Sequence, residues 1–413
     1  MRRLSSLGAV AGAAAIFLTS VIGCGSDSGI DGGSGGAGGT GGAGGGTVSV
    51  DELFQQGPYE VGYRQMTISY DAVASTEPRE LVLRVWYPAE PDSGASLARY
   101  SIGDGLVDLP AVYALDAPPV TEDGDLPFVI YSHGNGGEGL LAYPYGELMA
   151  SYGWVLVAPN HTGNTALDFL GSPDPFVRVA LDRPHDITAI IDEFESGLSG
   201  DELAGKADTS AVLLFGHSFG GYTTFAAGGA DVDFDVLNAG CDGTPDPDCE
   251  VLADPDVEAA YRAGFGDPRI VALAPQAPAL VGFADGELAA LEVPTMLMSG
   301  RLDQTIPQAE GADPAWAALD HPGDLWVEMP LGAHYSFITI CHDLTPELLD
   351  FFRSDAVQDG CADEFIDTRE SIPVLAAYVF AFGRRYVLDE TQWDSVLTGP
   401  PLGNPGDFVV TVK

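Results

Sequence analysis

Positive charge is scarce in this sequence. Its 413 residues include 17 lysines and arginines against 61 aspartates and glutamates, which gives a formal net charge of −44. A surface of this sign repels phosphate backbones and anionic lipid headgroups, so nucleic-acid binding is excluded as the function. The simplest role of the acidity is to keep the folded protein soluble, and the alternative is an electric field that selects which substrates approach.

Cysteine is also scarce, with five in the whole chain. Cys24 lies near the N-terminus, and the others are Cys241, Cys249, Cys341 and Cys361. No Cys-x-x-Cys pair or histidine-rich cluster accompanies them, so a zinc site is not expected. An even number of cysteines in an exported domain predicts two disulfides with three possible connectivities. Local pairing, Cys241 with Cys249 and Cys341 with Cys361, is the simplest choice.

The N-terminal apolar run is too short to serve as a membrane-spanning helix. It covers residues 7–22, follows Arg2 and Arg3, and falls below the ~20 apolar residues that cross a bilayer. A positive start followed by such a run is typical of a cleaved export signal. The run ends in Val-Ile-Gly-Cys24, which resembles the lipobox of bacterial lipoproteins.

The resemblance to a lipobox implies cleavage before Cys24 and acylation of its thiol. Several acyl chains on this residue would anchor the protein stably, whereas one chain alone gives marginal membrane binding. Gly25 and Ser26 follow, and aspartate occupies neither position, which favours a lipid anchor in the outer membrane of the cell envelope. The alternative is an ordinary secretory peptide that leaves Cys24 as a free thiol.

Composition divides the chain into three parts. Residues 1–23 are the predicted lipoprotein signal peptide. Residues 24–46 are dominated by glycine, serine and alanine, cannot form a core, and are predicted to be a flexible tether. Residues 47–413 are the predicted catalytic domain.

Short apolar runs alternate with amphipathic segments throughout the predicted catalytic domain. The runs predicted as strands cover residues 66–70, 81–87, 126–132, 154–158, 211–215, 270–274, 295–299 and 325–329. Helices are predicted at 140–152, directly after Ser218 and at 372–386, and Pro184 is placed in the first turn of another helix. Buried strands separated by helices predict the α/β class, with a mostly parallel central sheet and helices on both faces.

Two segments interrupt this alternation and are predicted to be surface insertions. Residues 230–261 are rich in aspartate and proline and form a candidate lid, and residues 340–367 carry the second cysteine pair. Asp231, Asp233 and Asp235 alternate in the first insertion, but no glycine follows where a calcium loop of the EF-hand type requires it. No metal and no cofactor is therefore expected.

The pattern Gly-x-Ser-x-Gly occurs twice, and its surroundings separate the two copies. Ser34 lies in the tether, with no strand before it and no helix after it. Ser218, in Gly-His-Ser-Phe-Gly, follows a predicted strand and precedes a predicted helix. A serine on such a tight strand-to-helix turn exposes its hydroxyl, so Ser218 is the predicted nucleophile.

A serine hydroxyl needs a base, because it is a weak nucleophile at neutral pH. In this fold the chain order is serine, acid, histidine. His334 follows the predicted strand at 325–329, where its loop leaves the carboxyl end of the sheet. His321 precedes that strand, and His342 adjoins Cys341 and is assigned a structural role. His334 is therefore the predicted base.

The base needs a carboxylate that holds its tautomer and orientation. Asp303 follows the predicted strand at 295–299 through Gly-Arg-Leu, which places it at the same edge of the sheet as His334. The rival is Asp285, which lies farther along a loop after the strand at 270–274. Asp303 is the predicted acid.

Two backbone N–H groups are expected to bind the oxyanion. The first belongs to Phe219, the residue after the nucleophile. The second is assigned to Asn135, in the glycine-rich loop His-Gly-Asn-Gly-Gly after the strand at 126–132. His133 and His217 adjoin these elements and are expected to pack and form hydrogen bonds rather than transfer protons.

Several motifs together resemble the platelet-activating-factor acetylhydrolase and predicted dienelactone hydrolase group. They are Gly57-Pro-Tyr-Glu-Val-Gly-Tyr63, Val85-Trp-Tyr-Pro88, Tyr131-Ser-His-Gly-Asn-Gly-Gly137, Val157-Ala-Pro-Asn-His-Thr-Gly-Asn-Thr165, Arg183-Pro-His-Asp186, Gly216-His-Ser-Phe-Gly-Gly221 and Gly332-Ala-His-Tyr-Ser-Phe337. The resemblance covers residues 57–386 and implies an α/β-hydrolase fold.

In the acetylhydrolases the acid follows the strand after the nucleophile's helix. That strand here ends in Leu-Ala-Pro275 without aspartate, so the acid is assigned to Asp303, as in bacterial relatives. Dienelactone hydrolases use cysteine where this chain has Ser218.

The leading interpretation is a serine hydrolase that cleaves carboxylic esters, small or polymeric, through an acyl-enzyme. A second enzymatic interpretation is an extracellular polyester hydrolase or lipase. A peptidase is disfavoured because no separate gating domain is present in the sequence. The non-enzymatic alternative is a surface lipoprotein that uses the fold as a binding module and touches the membrane only through its lipid.

Overall fold

The central feature of the fold is one mixed sheet, which the computed structural model describes within residues 50–413, apart from positions 104, 199, 242, 244 and 285. Its strands in this part of the chain are β1 Glu60–Tyr70, β2 Arg79–Ala89, β3 Leu97–Ile102, β4 Val107–Asp116, β5 Leu126–Ser132, β6 Val155–Asn160, β7 Ala207–His217, β8 Ile270–Gln276, β9 Met296–Gly300, β10 Leu325–Met329 and β11 Val409–Val412. Their order is β11-β10-β9-β8-β7-β5-β6-β2-β1-β4-β3. The predicted signal peptide, Cys24, the tether with Ser34, and Asp285 lie outside the described residues.

The middle of the sheet is parallel. Strands β6, β5, β7, β8, β9 and β10 all run in the same direction, whereas β2 and β11 pair antiparallel at the two sides of this block. The mostly parallel sheet predicted from the sequence is therefore confirmed. Because the carboxyl ends of parallel strands meet at one edge, the loops after β5, β7, β9 and β10 lie together there.

Side chains alternate between the two faces of the sheet, and each face has its own core. On β5, Phe128 and Ile130 pack on one side, and Val129 and Tyr131 pack on the other. All four side chains are at most 1% exposed. Two-sided burial explains why the middle strands read as continuous apolar runs.

Helices cover both faces. Those in the described part of the chain are α1 Tyr143–Ser151, α2 Ala166–Leu170, α3 Phe176–Ser196, α4 Phe219–Ala227, α5 Phe234–Asn238, α6 Pro247–Leu252, α7 Pro255–Ala263, α8 Ala312–Ala318, α9 Ile340–Asp343, α10 Pro346–Arg353, α11 Thr368–Tyr386 and α12 Asp394–Leu397. Short 3-10 helices cover Val50–Phe54, Gly139–Ala142, Glu287–Ala290, His334–Phe337, Ala356–Asp359 and Thr391–Trp393. Helices α1 and α11 pack on one face, and α3 and α8 pack on the other. Of the helices described, none has the length and apolar character to cross a membrane.

Pro184 does not lie where the sequence analysis placed it. Helix α3 begins at Phe176, so Pro184 lies in its interior rather than in its first turn. A proline there leaves the carbonyl of Ala180 without its helical donor, at a cost of roughly 3 kcal/mol. The hydroxyl of Tyr222 donates to that carbonyl at 3.0 Å, which offsets part of the loss. The prediction was wrong because this tertiary hydrogen bond is invisible in a local pattern.

The two insertions are folded segments, each with a disulfide. Cys241 bonds to Cys249 with an S–S distance of 2.07 Å, and Cys341 bonds to Cys361 at 2.00 Å. This is the local pairing chosen from the sequence. The first insertion carries α5, α6 and α7, and packs against α3 and against Phe219, so it borders the nucleophile's helix. The second carries α9 and α10.

Candidate active site

Ser218 lies on a sharp turn between β7 and α4. Its backbone has φ 58° and ψ −115°, a strained conformation for a residue with a Cβ, which costs on the order of 1–3 kcal/mol. Its own N–H donates to the carbonyl of Gln276 at 2.8 Å, and its carbonyl accepts from Ala279 at 3.1 Å. These bonds to the end of β8 and the residues after it hold the strained turn in place.

Glycine is required beside Ser218 because the main chain passes so close. A Cβ on Gly220 would lie 1.8 Å from the carbonyl oxygen of Ser132 at the end of β5. A Cβ on Gly216 would lie 2.5 Å from the carbonyl oxygen of Gly220. The two glycines of the pattern therefore let α4 start directly against the sheet, and their spacing reflects this packing.

His334 contacts the Ser218 hydroxyl. Its Nε2 atom is 2.9 Å from Ser218 Oγ, and its Nδ1 atom is 2.8 Å from Asp303 Oδ2. Because a carboxylate accepts, Nδ1 carries the proton and Nε2 accepts from the serine hydroxyl. Ser218, His334 and Asp303 are 9%, 3% and 7% exposed, so the chain of hydrogen bonds is shielded from solvent.

The loops that carry Asp303 and His334 pair with each other. The N–H of Leu302 donates to the carbonyl of Gly332 at 2.9 Å. Asp303 uses its second oxygen, Oδ1, to accept the N–H of Ile306 at 2.6 Å. The carboxylate is thus fixed on both oxygens, which sets the plane in which it receives the imidazole.

The rival histidines lie elsewhere. His321 precedes β10, and its Nδ1 accepts from the N–H of Gly323 at 3.0 Å. His342 lies in α9, with Nδ1 2.9 Å from Thr368 Oγ1. Neither ring bonds to Ser218 or Asp303 in the described contacts. The structural role assigned to His342 agrees with this position.

The loop after β5 runs beside Ser218. A Cβ on Gly134 would lie 3.2 Å from the Cβ of Ser218. The carbonyl of Gly134 accepts from His133 Nδ1 at 2.7 Å and from the N–H of Gly137 at 3.0 Å. In a trans peptide the next N–H, that of Asn135, points the opposite way, so these two bonds fix its direction.

Phe219 and Asn135 are the residues predicted to supply the oxyanion-binding N–H groups. Phe219 is the first residue of α4, so its N–H has no acceptor within the helix. The side-chain oxygen of Asn135 accepts from Asn164 Nδ2 at 2.7 Å, which ties this loop to the residues after β6. The structure brings both loops to Ser218.

His133 and His217 make structural hydrogen bonds, as expected. His133 Nε2 accepts from the N–H of His161 at 3.0 Å, and His217 Nε2 donates to the carbonyl of His334 at 2.8 Å. Burial holds the pKa of both rings well below the usual value, and each stays neutral. His217, which directly precedes Ser218, is therefore bonded to the backbone of the predicted base His334.

An arginine of the motif Arg-Pro-His-Asp186 is buried behind this loop, and the sequence predicted no role for it. Arg183 is fully buried and donates to Asn164 Oδ1 at 2.6 Å, to Ser132 Oγ at 3.1 Å and to the carbonyl of His133. Its guanidinium lies 4.7 Å from the centroid of the Phe219 ring. Asn164 in turn donates to the Asn135 side chain. Arg183 therefore contacts Phe219 directly and Asn135 through Asn164, the two residues of the predicted oxyanion site.

Asp186 is a buried carboxylate near Arg183 and compensates the positive charge of its guanidinium. It accepts from Arg79 Nε at 2.8 Å, from Tyr70 at 2.6 Å and from His161 Nδ1 at 2.8 Å. Burial by itself raises the pKa of Asp186, but Arg79 and the hydrogen bonds outweigh it and bring the pKa well below its usual range. Burial lowers the pKa of His161 to about 3. The cluster is therefore an ionised carboxylate with two arginines and a neutral imidazole.

Two residues of the second insertion reach the site and were missed. Asp359 accepts the N–H of His334 at 3.2 Å, and Arg353 donates to the carbonyl of Asn135 at 2.7 Å. No local pattern marks either residue, because each acts on a loop far away in sequence. Among the described residues, no group of three or more histidine, cysteine, aspartate or glutamate side chains is arranged to hold a metal ion.

Comparisons with known proteins bear on the fold. No family model and no curated protein matches the chain. Among solved structures, it is similar to a ferulic acid esterase from Streptomyces cinnamoneus. The TM-score is 0.57 at 18% identity, over 86% of this chain and 96% of that one. Together with the parallel sheet and the serine turn after β7, this shows that the chain has the α/β-hydrolase fold.

Proposed function

We propose that this protein is a serine hydrolase that cleaves carboxylic esters through an acyl-enzyme. The observation that carries the proposal is the hydrogen-bonded series Asp303–His334–Ser218, with 2.8 Å and 2.9 Å between the heavy atoms, ending on the strained turn. The ferulic acid esterase is an ester hydrolase of the same fold and supports the class. The motifs around Ser218 and His334 support a place in the acetylhydrolase and dienelactone hydrolase group.

The geometry suits each step of acyl transfer. Ser218 Oγ attacks the ester carbonyl while His334 Nε2 accepts its proton, and Asp303 stabilises the imidazolium. The N–H groups of Phe219 and Asn135 bind the developing oxyanion. The proton on Nε2 then passes to the leaving alcohol, and water attacks the acyl-enzyme with the same base.

A second candidate, a polyester hydrolase or lipase, is favoured by apolar side chains next to the oxyanion loop. Helix α2 comes after β6 in the chain and lies beside this loop, because the N–H of Ala166 donates to the carbonyl of Gly137 at 3.2 Å. Its side chains Leu167, Phe169 and Leu170 are 43%, 44% and 54% exposed. Exposed apolar groups at such a place suit a water-insoluble ester.

A chain-length series of p-nitrophenyl esters tests the proposal and ranks its two forms. We expect the protein to hydrolyse acetate to decanoate esters, and an organophosphonate to attach to Ser218, located by peptide mass spectrometry. A maximum at acetate or butyrate indicates an esterase, and one at octanoate or decanoate indicates a lipase. If no ester is hydrolysed and the phosphonate does not attach, the fold serves as a binding module instead.

We also propose that the protein is exported and held in the outer membrane through lipid on Cys24. The support is the Val-Ile-Gly-Cys24 sequence after an apolar run. In cells fed labelled palmitate, the wild-type protein is expected to carry label and to sediment with outer membranes. Cys24→Ser is expected to carry no label. Equal labelling of Cys24→Ser would contradict the assignment.

A further inference from the structure

Asp359 receives hydrogen bonds from two different loops of the site. It lies at the end of the 3-10 helix Ala356–Asp359 and is 3% exposed. Oδ1 accepts the N–H groups of Gln304 at 2.9 Å and of His334 at 3.2 Å. Oδ2 accepts both the N–H and the hydroxyl of Thr305 at 2.8 Å. One carboxylate thus joins the loop after the predicted acid to the predicted base itself.

This arrangement connects the loop that carries Asp303 to the backbone of His334. Gln304 and Thr305 directly follow Asp303, and they precede Ile306, whose N–H fixes Asp303 Oδ1. If the bonds to Asp359 are lost, the two loops are free to shift relative to each other. A displacement of about 1 Å between reacting groups costs about 10²-fold in rate.

Arg353, from the same insertion, holds the third loop of the site. Its guanidinium donates to the carbonyls of Asn135 and Gly136, the first at 2.7 Å. A Cβ on Gly136 would lie 2.9 Å from the same nitrogen, so the loop and the arginine are in close contact. Fixing these carbonyls fixes the peptide planes next to the Asn135 N–H.

The disulfide Cys341–Cys361 closes the segment that carries both residues. Cys341 lies in α9, shortly after the 3-10 helix that begins with His334, and Cys361 follows Asp359 by two residues. Within the segment, Asp355 accepts the hydroxyl of Tyr335 at 2.8 Å. The segment is therefore connected to the residues around His334 at three places. Cys341 follows them in the chain, Asp355 bonds to Tyr335, and Asp359 bonds to His334.

We propose that residues 341–361, closed by the Cys341–Cys361 disulfide, form a clamp that positions the acid, the base and the oxyanion loop for catalysis. Asp359 and Arg353 are its positioning residues, and neither contacts the Ser218 hydroxyl. Reduction of the disulfide to two thiols by an external dithiol, which is itself oxidised to a disulfide, releases the clamp and lowers turnover. The proposal rests on the proposed ester hydrolysis.

Variants of Asp359 test the clamp. Asp359→Ala, in the full chain, is expected to lower kcat for p-nitrophenyl butyrate about 10²-fold with KM nearly unchanged, because alignment rather than binding is lost. Asp359→Asn keeps one accepting oxygen and is expected to recover part of kcat. The matched control is Asp324→Ala, which removes a buried aspartate that accepts the N–H groups of Thr295 and His321 before β9 and β10, away from the site. It is expected to lower Tm but not kcat.

The two disulfides provide a second, independent comparison. The double substitution Cys341→Ser/Cys361→Ser is expected to lower kcat on the order of tenfold at temperatures well below its Tm. Cys241→Ser/Cys249→Ser removes the disulfide of the other insertion and is expected to keep kcat.

The possible outcomes separate this proposal from the proposed function. If the wild-type protein is active and the Asp359 variants change only Tm, or both disulfide variants keep full kcat, the clamp is overturned and ester hydrolysis stands. An inactive wild-type protein overturns the proposed function and the clamp with it. A kcat loss confined to the Asp359 and Cys341–Cys361 variants supports the clamp.

Discussion

Ser218→Ala is expected to lower kcat for p-nitrophenyl butyrate by about 10⁶-fold, to the rate left by substrate binding and the oxyanion donors alone. The reason is that no other hydroxyl lies within hydrogen-bond distance of His334 Nε2 in the described contacts. Initial rates with the wild-type and substituted proteins at equal concentration, corrected for the spontaneous hydrolysis of the ester, measure the effect.

The substitution is expected to change stability little. Alanine keeps the Cβ of Ser218, so the strain at φ 58° stays, and one hydrogen bond to His334 is lost. A typical hydrogen bond contributes about 1 kcal/mol to the free energy of unfolding. Thermal unfolding followed by circular dichroism should therefore show a cooperative transition close to that of the wild type, and a loss of activity is then a loss of chemistry.

The second Gly-x-Ser-x-Gly copy supplies the matched control. Ser34→Ala alters the same string in a segment with no predicted strand or helix and is expected to leave kcat and KM unchanged. Residual activity of Ser218→Ala above about 1% would contradict the nucleophile assignment, because loss of a triad member typically leaves far less. So would a loss of activity in Ser34→Ala.

The residues of the candidate triad could be predicted because each follows a strand. Ser218 directly follows β7, Asp303 follows β9 by three residues and His334 follows β10 by five. Buried parallel strands have a strong apolar signal, and their carboxyl ends share one edge. A chemical group in the loop after such a strand is therefore placed by the fold. Strands β5 and β10 were predicted at their observed bounds for the same reason.

The supporting residues could not be predicted, because nothing local marks them. Asp359 and Arg353 lie in an acidic, disulfide-closed insertion, where a charged side chain normally faces water. Their partners in the site include the N–H of His334, 25 residues from Asp359, and the carbonyl of Asn135, 218 residues from Arg353. The strands β3, β4 and β11 were missed for a related reason. They lie at the sides of the sheet, β4 contains Pro110, and β11 is mostly exposed, so the apolar signal is weak.

Asp303→Asn is expected to lower kcat about 10⁴-fold while the loops keep their positions. Asp303 Oδ1 accepts the N–H of Ile306, so in asparagine the carbonyl oxygen takes that place. The amide NH₂ then faces His334 Nδ1 and donates to it. His334 is thereby held in the wrong tautomer, with its proton on Nε2, and Nε2 is no longer able to accept from Ser218. Steady-state rates with p-nitrophenyl butyrate, and the rate of phosphonate attachment to Ser218, should both fall.

Asp324→Asn is the matched control for this change. Asp324 is 2% exposed and accepts two backbone N–H groups, yet it lies before β10, whereas Asp303 lies after β9. We expect it to lower Tm and to leave kcat within about twofold, because a loss at the far edge of the sheet does not reach the site. If Asp303→Asn kept more than a tenth of the wild-type kcat, the acid would have to be sought elsewhere, with Asp285 as the first position to replace. The two carboxylates have in common that they are buried and accept backbone N–H groups. A large loss of kcat in both Asp303→Asn and Asp324→Asn would therefore show that kcat depends on the stability of the fold and not on the acid.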